Sequence, residues 1–369
     1  MSGMEPTLPR ASYLSPEAFD QERERIFWRE WFVVGRVEEL AGPGDYVVKD
    51  VAGESILVVR TRAGALSAYY NVCRHRGSQL VPALPGAGPT CAAVGALRCP
   101  YHSWTYSLAG ELIRSPHAED VDPTDFSLHP VGVVEWAGFA FVHLTPGVAA
   151  PVDGVLAKAT ATLAHYAMGD LVTGRTMTYE VAANYKVVAE NYNECYHCGP
   201  VHPELTRLVP AFGGGGAGLA WEDGIPHRPG AWTFTTTGTT TRAPLPGLSE
   251  AERTRHKGEL VHPNLLLSCS ADHVAAFVLL PQDVDRTRID CHLLFAADAV
   301  ADPAFDPSDA ADLWDLVNRQ DWAICESVQR GMSSRAYTHG WFAPMEDDSA
   351  DIRRWLLPRL AEPPQGDDG

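Results

Sequence analysis

Positive charge is in short supply in this chain: 29 lysines and arginines stand against 47 aspartates and glutamates over 369 residues, a formal net charge of -18. Such a surface repels nucleic acid and anionic membranes, so neither is expected as a partner. Long apolar runs are missing as well. No stretch approaches the roughly 18 residues that a membrane-spanning helix requires, and the opening "MSGMEPTLPRASYLSPEAFDQERERIF" has no charged-then-apolar secretory pattern. A soluble, cytoplasmic protein is expected. Eight cysteines are too few for the disulfide framework of a secreted chain. Clustered ones read as metal ligands and isolated ones as small packing residues. There is no repeat of the solenoid kind.

What the chain does have is an ordinary globular composition, 45% hydrophobic and 21% charged, and a length that predicts two domains. Ser15-Pro16-Glu17 marks a helix start, with Ser as N-cap and Pro at the first helical position. It predicts a helix through "AFDQERERIFWREWF" that ends before Gly42-Pro43-Gly44. The texture then turns to short β-rich runs: "YVV", "SILVVR", "LSAYYN", "WTYSLAGELI" and "VGVVEWAGFAFVHL". "TPGVAAPVDG" marks a boundary. Beyond it, strands such as "TMTYEVA", "HVAAFVLL" and "TRIDCHLLF" mix with a helix predicted over 184–198 and a long one across "SDAADLWDLVNRQDWAICESVQRGM". The expected organisation is an N-terminal helical segment (1–41) packed on the larger domain, an all-β domain (42–147), an α+β domain (148–362) and a disordered tail (363–369).

Within the β domain, "CRHRG" supplies Cys73 and His75, and "CPYHSW" supplies Cys99 and His102. Structural zinc sites usually pair Cys with Cys and His with His. Here each loop is mixed, which suits a [2Fe-2S] cluster with Cys73 and Cys99 on one iron and His75 and His102 on the other. Two neutral imidazoles in place of thiolates raise the reduction potential of such a cluster. The motifs resemble those of the Rieske family. The segment between them, "PALPGAGPTCAAVGAL", is longer than the family's usual spacing and reads as a loop insertion, with Cys91 as a spare thiol.

A second cluster lies in "ENYNECYHCGPVHPE". On a continuous helix Glu190, Glu194 and His197 would share one face, and Gly199-Pro200 would break the helix so that His202 returns towards His197. Two histidines need a carboxylate to form the facial triad of non-heme Fe(II) oxygenases. In the long C-terminal helix Leu313, Val317, Ile324 and Val328 read as the apolar stripe, and Asp321 falls on it, a costly place for an unpaired carboxylate. Glu326 reads as a solvated residue. Asp321 is therefore the expected third ligand. Cys195, Cys198, Cys269, Cys291 and Cys325 are expected to be buried packing residues.

Taken in order, the Rieske motif and the E-x2-H-x4-H segment about 100 residues later make the chain resemble the catalytic α subunit of the Rieske non-heme iron oxygenases over nearly its whole length. The stretches "NYKVVAENYNECYHCGPVHPE", "HPNLLLSCSADHV", "DRTRIDCHLLF" and "CESVQRG" look closest to the branch that oxidises glycine betaine, choline, carnitine and stachydrine. The resemblance implies a fold of an all-β Rieske domain plus a helix-grip catalytic domain. It also implies a homotrimer in which electrons pass between neighbouring subunits, with Glu194 at the position of the bridging carboxylate, where most ring-hydroxylating dioxygenases carry Asp.

A separate flavin/iron-sulfur reductase would bring electrons from NAD(P)H, and His197, His202 and Asp321 would hold Fe(II) for O2 and a small-molecule substrate. Glu190 and Tyr196 are candidates for ordering the ligand helix by hydrogen bonding, with core packing as the alternative for Tyr196. Trp221, Trp232, Phe234, Tyr337, Trp341 and Phe342 are candidates for a cation-binding aromatic wall, or for core. The expected activity is N-demethylation or monooxygenation of a quaternary ammonium compound. The rivals are hydroxylation of an aromatic ring and a non-catalytic electron carrier.

Overall fold

The structure, a computed structural model, describes residues 3–82, 92–216 and 218–361. Cys91, most of the expected loop insertion and the expected disordered tail lie outside the described residues. The chain divides into two compact units, one of residues 27–150 and one of residues 1–26 with 151–369. Residues 27–41, expected with the N-terminal helical segment, thus belong to the β unit.

The predicted helix start is present: the Ser15 side chain accepts a hydrogen bond from the Ala18 N–H, and Pro16 occupies the first turn of helix Pro16–Glu22. After a turn of π-helix at Arg23–Phe27, the chain does not remain helical to Gly42 as expected. Phe32–Arg36 is a strand, buried at every position. Its β-branched Val33 and Val34 suit a pleated, two-sided core better than a helix. It is the edge of a seven-stranded antiparallel sheet that runs on through Phe139–His143, Pro130–Trp136, Leu66–Tyr70, Glu54–Arg60, Asp45–Val51 and Ala92–Ala93. A second, three-stranded sheet of Leu97–Arg98, Thr105–Tyr106 and Leu112–Arg114 completes the unit.

The larger unit is a helix-grip domain. Its six-stranded sheet has the order Leu171–Val181, Arg286–Ala296, His273–Asp283, Leu265–Cys269, Arg255–Val261, Ile225–Pro226. The helix Ser308–Met332, with the predicted bounds, packs beside its first strand and against helix Tyr185–Tyr192. Tyr179 Oη donates to Asp315 Oδ1 at 2.9 Å, and the Asn184 N–H donates to Gln329 Oε1 at 3.1 Å. The expected apolar stripe is half right. Leu313 and Val317 are buried, but Ile324 and Val328 are exposed. The buried face continues instead through Trp314, Asn318, Cys325 and Gln329, a three-four spacing that still passes through Asp321. Glu326 is also not simply solvated: its Oε1 accepts from the Ala182 N–H at 3.2 Å.

A fully buried ion pair joins helix Tyr185–Tyr192 to helix Pro16–Glu22. Lys186 Nζ is 2.8 Å from Glu22 Oε1, with side-chain exposures of 0% and 1%. Burial lowers the lysine's pKa and the Glu22 carboxylate opposes that. Removing one member leaves an uncompensated buried charge, whereas replacing both with apolar groups need not. Glu22→Leu alone is expected to destabilise this unit by about 3–5 kcal/mol, and Lys186→Met in the same chain to recover most of the loss, as measured by equilibrium denaturant unfolding.

Candidate metal centre and substrate cavity

In the β unit the two mixed loops are built alike. The Cys73 N–H donates to the Ser78 carbonyl and the Gly77 N–H to the Cys73 carbonyl; the Cys99 N–H donates to the Trp104 carbonyl and the Ser103 N–H to the Cys99 carbonyl. The fourth residue after each cysteine takes the same left-handed turn, Gly77 at φ 72° and Ser103 at φ 63°. The second loop is the tip of a hairpin, clamped by the Leu97–Tyr106 and Arg98–Thr105 pairs. Cys73 and Cys99 are buried in the unit's core with Trp104 and Tyr106, and His75 and His102 stand exposed with ring centroids 4.7 Å apart. His75 is stacked on Trp104, and Tyr106 Oη lies 3.3 Å from Cys73 Sγ. Two inner sulfurs and two outer imidazoles fit a cluster with one Cys-held and one His-held iron.

In the larger unit the predicted 184–198 helix is interrupted. It runs over Tyr185–Tyr192 and stops at Asn193. Glu194 then turns back and accepts from the N–H groups of Tyr196 and His197. Gly199-Pro200 does not break a helix; it lies inside the short helix Cys198–Val201, whose first-turn N–H groups have no intrahelical acceptor to lose. Cys195 and Cys198, expected as separate packing residues, are joined by a disulfide with Cα atoms 4.8 Å apart. Cys269, Cys291 and Cys325 are buried and free.

This path brings the predicted ligands together. One donor atom from each of His197, His202 and Asp321 lies within 4.8 Å of the others. Asp321 Oδ1 is 2.9 Å from His202 Nε2 and 3.3 Å from His197 Nε2. Each histidine's other nitrogen is already engaged: His197 Nδ1 lies 2.5 Å from Glu194 Oε1, and His202 Nδ1 2.7 Å from Gln320 Oε1. Asn191 Nδ2 donates to Asp321 Oδ1 at 2.8 Å. With the Nδ1 protons committed outward, three lone pairs face one point, which is unfavourable unless a cation sits among them.

In the metal-free protein a proton takes that place. Burial disfavours charge on His197, but Asp321 and Glu194 outweigh it and raise the ring to about 9. Burial likewise opposes charge on Asp321, yet the two histidines hold it at about 2. The donor set fits a mononuclear non-heme iron.

Glu190, expected near the ligands, does not line the cavity around them. Its Oε1 accepts from Tyr13 Oη at 2.6 Å, and burial is the main cause that pushes its pKa to about 7. Tyr196 is 52% exposed, so core packing is not its role. Gln320 and Asn191 were missed, although each directly adjoins a residue already singled out.

The three donors open into a cavity of about 720 Å³. Of the expected aromatics, Trp221 and Phe234 line it; Trp232, Tyr337, Trp341 and Phe342 do not. Trp341 and Phe342 instead form a small sheet with Glu5–Pro6. The rest of the aromatic wall is Tyr192, Phe212, Phe277, Trp314 and Trp322. Among the described residues no helix is long and apolar enough to cross a membrane.

A Rieske-type cluster unit joined in one chain to a helix-grip unit with a two-histidine, one-carboxylate centre defines an oxidoreductase of the oxygenase class. The chain belongs to the Rieske ring-hydroxylating oxygenase α subunits: the family described as "Ring hydroxylating alpha subunit (catalytic domain)" matches residues 168–362, and "Rieske [2Fe-2S] domain" matches residues 30–126. It falls in the quaternary-ammonium branch. It is 32% identical to the glycine betaine monooxygenase oxygenase subunit of Chromohalobacter salexigens, over 90% of this chain and 81% of that one. It is 38% identical to the carnitine monooxygenase oxygenase subunit of Escherichia coli K12, over 55% and 54%. The crystal structure of the quaternary ammonium Rieske monooxygenase CntA with γ-butyrobetaine superposes with a TM-score of 0.75 at 26% identity, covering 97% of this chain and 96% of that one. Naphthalene 1,2-dioxygenase from Rhodococcus sp., at 22% identity and a TM-score of 0.73, shares the fold. The cofactors are a Rieske [2Fe-2S] cluster and a mononuclear iron, with electrons supplied by a reductase.

Two outcomes are expected of the metal centre. Asp321→Ala should lower iron from about three to about two per chain while the visible spectrum of the cluster is retained. Because metal must displace the His197 proton, affinity for Fe(II), read by chelator competition, should climb roughly tenfold per pH unit and level off near pH 9. Stability of the metal-free protein runs the other way. The proton's contribution is full below the ordinary histidine value of 6.5 and lost as pH rises through about 9.

Proposed function

We propose that this chain is the oxygenase component that monooxygenates an N-methyl group of a quaternary ammonium compound. The observation that carries the reading is the opening of the His197, His202 and Asp321 donors into a cavity walled by aromatic rings. A quaternary ammonium has no N–H to donate, so ring faces are its natural partners. Cys73, His75, Cys99 and His102 would hold the cluster. His197, His202 and Asp321 would hold the iron, which supplies O2 activation when bound. Glu194, at 2.5 Å from His197 Nδ1, fixes that ring and is the residue through which electrons would reach the centre. Gln320 and Asn191 orient His202 and Asp321.

One methyl C–H becomes C–OH, with one oxygen atom leaving as water at the cost of two electrons and two protons from NAD(P)H and H+. The N-hydroxymethyl ammonium then loses its hydroxyl proton and breaks its C–N bond, releasing formaldehyde, a tertiary amine and H+. The inter-subunit route fits a homotrimer, and the electron demand fits a separate reductase. The lack of a membrane-spanning helix among the described residues fits work in the cytoplasm.

The test is turnover of the iron-loaded protein with a reductase. One formaldehyde per O2 and per NAD(P)H from a methylated ammonium is the expected stoichiometry. Oxygen uptake coupled to hydroxylation of an aromatic acid, with no formaldehyde from any ammonium compound, would replace this reading with ring hydroxylation.

A further inference from the structure

The Cys195–Cys198 disulfide brackets a metal ligand, with His197 between its two ends. The turn it closes is also held by the Cys198 N–H on the Cys195 carbonyl, and the turn that follows by the His202 N–H on the Cys198 carbonyl. A crosslink over a sequence separation of 3 removes little freedom from an unfolded chain, because that effect grows with the loop enclosed. Its weight is therefore local and falls on His197. Among the described residues it is the one disulfide, while Cys269, Cys291 and Cys325 stay free. A single short crosslink among free thiols is the pattern of reversible thiol chemistry, not of a structural framework.

Position separates this pair from the other thiols. Cys195 and Cys198 line the cavity into which the iron donors open, at 6% and 2% exposure. Cys269 and Cys291 lie in strands of the large sheet at 0%, Cys325 lies on the long helix at 1%, and none of the three lines the cavity. One side of the cysteine turn is covered by glycine backbone. A Cβ added to Gly216 would lie 3.4 Å from Cys195 Cβ, and one added to Gly215 would lie 3.3 Å from Tyr196 Cδ2. Both glycines are left-handed, at φ 78° and 80°, where a Cβ is costly. With no side chains to interlock, that cover can follow the turn as an S–S bond forms or breaks.

We propose that Cys195 and Cys198 form a reversible redox-modification site whose oxidant is hydrogen peroxide, and that its disulfide clamps the turn carrying His197. O2 that takes up two electrons and two protons without oxidising substrate leaves as hydrogen peroxide, so an oxygenase cavity is where this oxidant arises. One thiol takes an oxygen atom from the peroxide, becoming a sulfenic acid and releasing water; the other thiol then forms the S–S bond and releases a second water. The two sulfurs give up two electrons and two protons per peroxide, and a dithiol reductant returns them. The three iron donors stand within 4.8 Å of one another while the disulfide is closed, so oxidation leaves the metal site assembled. This chemistry depends on O2 reduction and not on which compound is oxidised.

The test uses the iron-loaded full chain, reduced with dithiothreitol and then freed of it. After treatment with about one equivalent of hydrogen peroxide per chain, the protein is denatured, alkylated and cut with trypsin, and the peptide of residues 187–207 is weighed. It should carry two alkyl groups before peroxide, none afterwards with a loss of two hydrogens, and two again after dithiothreitol, while Cys269, Cys291 and Cys325 are alkylated throughout. Fe(II) should pass to a chelator about threefold more slowly from the oxidised protein than from the reduced one. In Cys195→Ser/Cys198→Ser that rate should match the reduced protein and ignore peroxide, which a role in packing alone would not produce.

Two alkyl groups persisting after peroxide, a peptide heavier by oxygen atoms, a disulfide that dithiothreitol cannot open in the native protein, or equal iron loss in the two states would each overturn the inference. The peptide masses and the iron loss of the unmodified sequence decide this even if the double variant does not fold.

Discussion

Three lone pairs aimed at one point organise the catalytic unit. His197 Nε2 and His202 Nε2 each stand within hydrogen-bond distance of an Asp321 oxygen, where bare lone pairs would repel unless a proton or a metal cation sits among them. What holds them is the polar layer behind: Glu194 and Gln320 take the outward Nδ1 protons, and Asn191 ties the carboxylate. Behind that layer the long helix is pinned to the sheet through Tyr179 and to Asn184 through Gln329, and the Lys186–Glu22 pair fixes helix Tyr185–Tyr192. Each tier restricts the rotamers of the one in front, so the centre is preorganised by rigid elements.

The same long helix also builds the cavity. Trp314 sits on it two turns before Asp321, and its indole Nε1 donates to His273 Nε2 at 2.9 Å, while His273 Nδ1 is held by the buried carboxylate of Asp272 at 2.8 Å. Arg242 closes that chain on the other Asp272 oxygen. A ring fixed by so many buried partners has little freedom to reorient, which suits a wall that recognises a cation by ring faces.

Much of the chemistry was legible in order along the chain. Cys73, His75, Cys99 and His102 lie in two short loops, where spacing and position are nearly the same thing. His197 and His202 were proposed the same way, and Asp321 by its place on a helix face, and the structure brings the three side chains together. The helix expected to align Glu190, Glu194 and His197 ends at Tyr192, and the Glu194 side chain takes the N–H groups of Tyr196 and His197 that a continuing helix would need. Asp321 was reached through a stripe whose later half, Ile324 and Val328, proved exposed. Phe32–Arg36 was read as helix because its flanking sequence is helical and a five-residue buried strand carries no alternation to betray it.

The sequence by itself determined the ligand types, their grouping in two constellations and the bounds of the long helix, because these depend on residue identity and local periodicity. Only the tertiary structure decided which aromatics meet the cavity, that Glu190 belongs with Tyr13, and that Gln320 and Asn191 adjoin His202 and Asp321. The hydrogen-bonded pairs among them join residues 118 to 177 positions apart, brought together by sheet register and helix packing, and no short-range pattern encodes such a contact.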